Sequence, residues 1–213
     1  MTGRPVVYGA DYSVYVRIVR LALQEKGVDY ELVPVDAFAP GGPGLDYLKR
    51  QPFGRIPAFE HNGFRLYETG AIARYVDEAF DGPKLQPTDA KARARMNQIV
   101  SIADAYVYRT LVWDVFVERV NRPGRGELPD EGRIQASLGR AETCFSAITD
   151  LKENSVFMVG EQATLADLWL AAMFDYFLRT DEGRTLTARY PALRLWWSHI
   201  SVRQSMVMTP YGE

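Results

Sequence analysis

The chain has 213 residues with 25 basic and 27 acidic side chains, a formal net charge of −2, and 47% hydrophobic content. These values exclude a mainly disordered or collagen-like chain, and they give no electrostatic case for nucleic acid or an anionic membrane as partner. A single cysteine, Cys144, excludes an internal disulfide and a cysteine-rich zinc site. No stretch approaches the roughly 18–20 uninterrupted apolar residues of a membrane helix. Residues 1–5 run into strand-like sequence without an apolar signal core, so the chain reads as an unprocessed cytoplasmic protein.

Pro5-Val6-Val7-Tyr8, ending at Gly9, predicts a strand. Residues 14–26 are long, apolar and free of Gly and Pro, and Lys26-Gly27 is a helix stop. Residues 28–35 alternate as a strand, with Pro34 marking an edge position. A Gly/Pro loop at 40–44 precedes a short helix near 45–50. Residues 57–60 and 64–67 flank Asn62-Gly63, the turn of a hairpin. Residues 70–80 carry Ile72, Tyr75, Val76 and Ala79 on one stripe of a last helix. The polar stretch 81–90, with two prolines and a glycine, reads as a linker between a first domain (1–80) and a second (91–213).

The second domain is helical throughout. Residues 91–120 contain no Gly or Pro. Ile134, Leu138, Ala141, Phe145, Ile148 and Leu151 recur at three and four, which makes one amphipathic helix and places Cys144 in its packing. Thr164-Leu165-Ala166-Asp167 resembles a capping box with Asp in place of Glu. Shorter helices are expected at 186–190, 192–199 and 201–206. The two histidines, His61 and His199, fall in a turn and in a C-terminal helix, so no histidine supports a serine-hydrolase arrangement.

Three segments of the first domain carry the chemistry: Gly9-Ala10-Asp11-Tyr12-Ser13, then Pro52-Phe53-Gly54-Arg55-Ile56-Pro57-Ala58-Phe59, then Glu68-Thr69-Gly70-Ala71-Ile72-Ala73-Arg74-Tyr75. In this order, on an element pattern resembling a thioredoxin-like α/β domain followed by an all-helical domain, they resemble the glutathione S-transferase family. The resemblance covers nearly the whole chain, and the spacing from Ser13 to Arg17 and Glu25-Lys26-Gly27 is most similar to the serine-type phi class. It implies a cis Pro57, with the Ile56 backbone pairing with the cysteinyl part of glutathione. It also implies that Glu68 meets the γ-glutamyl ammonium and that Thr69, read as the N-cap of the helix from Gly70, meets the γ-glutamyl carboxylate.

Ser13, at the start of the first helix, is the thiol-activating candidate, and plain helix capping is its bland alternative. Tyr8, at the end of the first strand, and Tyr12 are the rivals. Cysteine-type chemistry is disfavoured, because no thiol lies near position 13. The loop Ala39-Pro40-Gly41-Gly42-Pro43-Gly44 lacks the basic residues that phi-class members use on the glycyl carboxylate. Arg55, Lys49 and Arg50 are the candidates to replace them, with Arg55 ranked as a ligand. Tyr12, Phe38, Tyr106, Arg109 and Trp113 are the second-substrate candidates, the last three on one helical stripe.

The resulting expectation is a cytoplasmic, homodimeric glutathione transferase acting in detoxification. It would take glutathione as co-substrate and a hydrophobic electrophile, with no metal, no tightly bound cofactor, no nucleic acid and no membrane. The alternatives are a non-catalytic interaction module on the same fold, or a glutathione-dependent isomerase, peroxidase or lyase.

Overall fold

The structure, a computed structural model, describes residues 3–212. It divides into two compact units: residues up to 85 together with those from 203 onward, and residues 86–202.

The first unit follows the expected order: β1 (Val6–Tyr8), α1 (Val14–Glu25), β2 (Glu31–Val33), α2 (Leu45–Leu48), β3 (Ala58–His61), β4 (Phe64–Tyr67) and α3 (Thr69–Ala79). The sheet order is β2-β1-β3-β4, with β1 parallel to β2 and antiparallel to β3, and β3 antiparallel to β4. A parallel pair needs a crossover, and α1 supplies it. This is the thioredoxin-like arrangement. β2 is shorter than the 28–35 reading, although it lies at the predicted edge. Asn62 and Gly63 both adopt positive φ, 52° and 79°, as a tight two-residue hairpin turn requires. His61 ends β3 and is not in the turn; its ring is buried and Nδ1 meets Tyr75 Oη at 2.8 Å.

α1 buries Ile18, Val19, Leu21, Ala22 and Leu23 and ends at Lys26-Gly27, where Gly27 takes φ 65°. The buried Lys26 Nζ donates to Asp77 Oδ1 (3.2 Å) and to the carbonyls of Asp77 (3.1 Å) and Pro83 (3.0 Å). Leu85 N–H donates to the same Asp77 Oδ1 at 2.8 Å. The first half of the predicted linker is therefore pinned to the ends of α1 and α3.

The last helix, α10 (Gln204–Met208), groups with this first unit, whereas the sequence division put it with the helical domain. The cause is a polar clasp. Glu25, near the end of α1, accepts from Arg203 Nε (2.8 Å), Arg203 Nη2 (2.5 Å) and Ser205 Oγ (2.5 Å).

The second unit contains α4 (Ala90–Ile102), a wider-turned continuation over Ala103–Asn121, α5 (Arg122–Gly124), α6 (Glu131–Lys152), α7 (Leu165–Phe177), α8 (Asp181–Ala188) and α9 (Pro191–Ile200). The continuation bonds i→i+5, as from Arg122 N–H to the Val117 carbonyl. The shorter helices start earlier than the 186–190 and 192–199 readings. α7 is buried on nearly every face, with Phe174 stacked on Phe145 (4.9 Å) and edge-on to Trp196 (5.2 Å). Cys144 is buried on α6, and burial pushes its thiol pKa up.

At the start of α7, Thr164 and Asp167 form the expected capping box, and Asp167 does more than cap. Its fully buried carboxylate accepts from Thr164 N–H, Thr164 Oγ1, Met158 N–H and Trp196 Nε1, each at 2.8 Å. Among the described residues, no helix is long and apolar enough to cross a membrane.

Candidate functional site

Pairing register brings the three motif segments together. Val33, Tyr8, Ala58 and Tyr67 lie in one row across the sheet. From that end emerge the loop to α1, the loop holding Phe38, the segment Arg55-Ile56-Pro57 and the Glu68-Thr69 corner. Neighbouring strands lie about 4.8 Å apart, so all four segments share an end roughly 15 Å wide. Gly9 tightens the arrangement: a Cβ there would lie 2.4 Å from Val16 Cγ2 and 3.4 Å from Ile56 Cβ. Only glycine lets the strand end pass so close to both α1 and Ile56.

Ser13 is the N-cap of α1, and its hydroxyl oxygen accepts from Val16 N–H at 3.4 Å. A hydroxyl that accepts through a lone pair still carries a proton to donate, so capping and thiol activation do not compete. Its tyrosine rivals are engaged. Tyr12 Oη donates to Asp36 Oδ1 at 2.9 Å. Burial, with the Asp36 carboxylate beside it, pushes the Tyr12 phenol up to about 12. The Arg50 guanidinium covers the Tyr8 ring at 4.7 Å.

The Ile56–Pro57 bond is cis. The loop before it is held by two side chains that sequence reasoning missed. Buried Gln51 accepts through Oε1 from the N–H groups of Phe53 (2.7 Å) and Arg55 (3.3 Å), and Tyr47 Oη donates to the Arg55 carbonyl at 2.6 Å. Arg55 itself is exposed.

The third segment differs by one residue from the sequence reading: Glu68 is the N-cap of α3 and Thr69 its first residue. Glu68 takes φ 70°, a conformation that side-chain-bearing residues rarely adopt, and its side chain caps nothing. The Ala71 and Ile72 N–H groups both bond the Glu68 carbonyl at 3.0 Å, whereas the earliest N–H groups of a helix have no intrahelical acceptor. An exposed acidic side chain thus stands beside a positive helix end.

Of the candidates to replace the missing loop cations, Lys49 pairs with Asp46 at 2.7 Å on the surface. Arg50 reaches back over Tyr8, and its buried Nε has no hydrogen-bond partner among the described residues.

Among the second-substrate candidates, Tyr12 and Phe38 stack with centroids 6.2 Å apart and rings inclined 26°. Asp36 aligns the pair, accepting from the Phe38 N–H at 2.8 Å as well as from Tyr12. Tyr106, Arg109 and Trp113 lie on the wide-turned stretch of the second unit, where residues three and four apart no longer superpose on one α-helical stripe. Tyr106 is exposed, and Arg109 Nε donates to Asp114 Oδ1 at 2.8 Å, five residues on. Arg133 Nε and Arg140 Nη2 join it on the same buried carboxylate at 2.8 and 3.1 Å. No group of three His, Cys, Asp or Glu among the described residues could hold a metal ion.

Comparisons with known proteins match this geometry. The glutathione S-transferase N-terminal domain family matches residues 7–84, and the C-terminal domain family matches residues 126–204. Glutathione S-transferase F13 of Arabidopsis thaliana, an F-type or phi-class member, is 26% identical over 208 residues, covering 97% of this chain and 94% of its own. Glutathione S-transferase hmp2 of Hypomyces subiculosus is 29% identical over 207 residues, covering 94% and 95%. The solved structure of glutathione transferase F2 from Populus trichocarpa superposes with a TM-score of 0.87 at 30% identity, covering 96% of both chains. With both halves matched and the fold superposing end to end, the chain belongs to the glutathione S-transferase family.

Proposed function

We propose that the chain binds glutathione across the Val33–Tyr8–Ala58–Tyr67 end of the sheet and joins it, through its sulfur, to an electrophilic small molecule. The convergence of the four segments on that row is the observation that carries the reading. Glu68 takes the γ-glutamyl ammonium, Thr69 and the first N–H groups of α3 take the γ-glutamyl carboxylate, and the Ile56 backbone takes the cysteinyl part. Arg50, whose buried Nε lacks a hydrogen-bond partner among the described residues, takes the glycyl carboxylate in place of the absent loop cations, with Arg55 at the rim.

Ser13 donates to the sulfur. A free thiol has a pKa near 8.5, so only a few per cent is thiolate at pH 7. Lowering it by about two units takes roughly 2.7 kcal/mol, within reach of one hydroxyl hydrogen bond to an anion plus the positive end of α1. The thiol proton leaves to water, the thiolate attacks the electrophilic carbon, and the leaving group departs with its bonding pair. The engagement of Tyr12 with Asp36 and of Tyr8 with Arg50 supports Ser13 over either tyrosine. Tyr12 and Phe38 present an aromatic surface to a hydrophobic electrophile, with Tyr106, Arg109 and Trp113 as the second unit's candidates. Family membership supports a cytoplasmic homodimer acting in detoxification, without a tightly bound cofactor.

The test is the ultraviolet thiolate band of bound glutathione against pH. Ser13→Ala should move the titration back toward free thiol and lower turnover at pH 7 by about 10–100-fold, the thiolate fraction lost over one to two pKa units. Tyr8→Phe and Tyr12→Phe should leave the titration in place. A tyrosine variant that alone loses the band would transfer the role from Ser13. Absence of a depressed thiol pKa in the unaltered protein would favour a non-catalytic binding module.

A further inference from the structure

A cavity of about 230 Å³ lies within the second unit, among Lys91, Ala92 and Arg95 of α4, Leu151 and Lys152 of α6, and the loop before α7. Its lining carries three cations, Lys91, Arg95 and Lys152, against one carboxylate, Glu153; Leu151, Met158 and Val159 add apolar surface. Lys152 is only 5% exposed. Its ammonium donates to the Ser155 carbonyl and has no carboxylate within ion-pair distance among the described residues. Asp167 and Glu161 act on it only through space, and Asp167 is already held by four donors. Arg95 Nη1 donates to Gln98 Oε1 at 2.7 Å, which fixes the guanidinium without neutralising it.

A buried ammonium whose nearest carboxylates act only through space is unfavourable, and the half-buried Arg95 guanidinium on the same space adds to that cost, whereas Lys91 is exposed. Burial accordingly pushes the Lys152 amine pKa down. One anion in the cavity would pair with Lys152 and Arg95 together, with the exposed Lys91 on the same lining. The cavity is smaller than the ~300–1,000 Å³ of pockets for drug-sized ligands, so its occupant is small.

We propose that this cavity binds a small oxyanion, as free phosphate or sulfate or as the phosphate of a small ester, with Lys152 as the buried contact and Arg95 and Lys91 at the mouth. The site is separate from the glutathione-binding segments and does not rest on the transferase reading.

The full chain should be titrated calorimetrically with inorganic phosphate and with glycerol phosphate, and melted in phosphate and in chloride at matched ionic strength. Phosphate should raise the melting temperature beyond chloride, and by more in the unaltered chain than in Lys152→Met or Arg95→Gln, since its general salting effect is common to all three. Lys152→Met should weaken phosphate binding at least tenfold and Arg95→Gln several-fold, with glutathione conjugation unchanged in both. Tighter binding of glycerol phosphate than of phosphate would identify the ester as the ligand, and the reverse order the free ion; either supports the site. Equal melting in phosphate and chloride overturns it, as does native phosphate affinity in both variants. If Lys152→Met does not fold, Arg95→Gln and Lys91→Gln decide, and native affinity in both overturns the site.

Discussion

The starts of α3 and α7 both carry a threonine and an acidic side chain, yet they use them in opposite ways. At α7 the acidic side chain is met from within: Asp167 is buried and bonded by Thr164, Met158 and Trp196. At α3, Glu68 stands exposed at φ 70° with no capping bond. One helix end is completed by its own chain and stabilises the fold. The other is left incomplete and strained, the condition of a site that a ligand completes.

The largest effect should come from breaking the closed end. Asp167→Ala removes the acceptor for two buried N–H groups and the Trp196 indole. An unsatisfied buried donor costs about 1–3 kcal/mol, so the loss should be about 3 kcal/mol or more. Urea denaturation measures it, and glutathione affinity of the folded fraction should not change. A loss below about 1 kcal/mol would mean that Asp167 is no more than an ordinary cap.

The open end should respond the other way. Glu68→Gly removes the carboxylate and relieves a conformation that glycine adopts freely. Stability should hold or rise by about 0.5–1 kcal/mol, while glutathione binding weakens by about 1.5–3 kcal/mol, the worth of a charge-assisted hydrogen bond. Calorimetric titration beside thermal melting separates the two. A variant that melts lower and binds normally would reverse the assignment of this corner.

The same contrast explains what the sequence made legible. The motif segments could be read because each follows or precedes a strand with strong local signals: Gly9 after an apolar run, Asn62-Gly63 between two strands, Glu68-Thr69 before a periodic helix. Local chemistry gave the elements, and the sheet register made them one site. What could not be read depends on partners remote in the chain or on loop geometry. Gln51 holds the Phe53–Arg55 backbone, and Asp36 aligns Tyr12 with Phe38, yet no periodicity singles out a lone Gln or Asp in a loop. Trp196 on Asp167 spans 29 residues, and Arg203 on Glu25 spans 178. The wide turns of Ala103–Asn121 were hidden because a Gly- and Pro-free run is equally compatible with ordinary α-helix.

The smallest effect concerns a third helix end. Glu25 stands in the last turn of α1, where the helix dipole disfavours a negative charge. Burial alone would raise its pKa, but the hydrogen bonds from Arg203 and Ser205 prevail and hold the carboxyl below its ordinary value. A depressed folded-state pKa contributes stability that is present above the unfolded pKa, near 4.3, and is lost as pH falls through the folded value. The clasp of α10 on α1 should therefore stabilise the chain from neutral pH down to about pH 4 and fade below it. Arg203→Met should cost about 1 kcal/mol at pH 7, and its melting curve should approach that of the unaltered chain as pH drops through the acid range. Ser205 remains bonded to Glu25 in that variant, so the effect should stay well below that of Asp167→Ala. A difference between the two proteins that persists undiminished at pH 3 would show that Arg203 acts through its apolar stem against α1, and that charge does not hold this helix end.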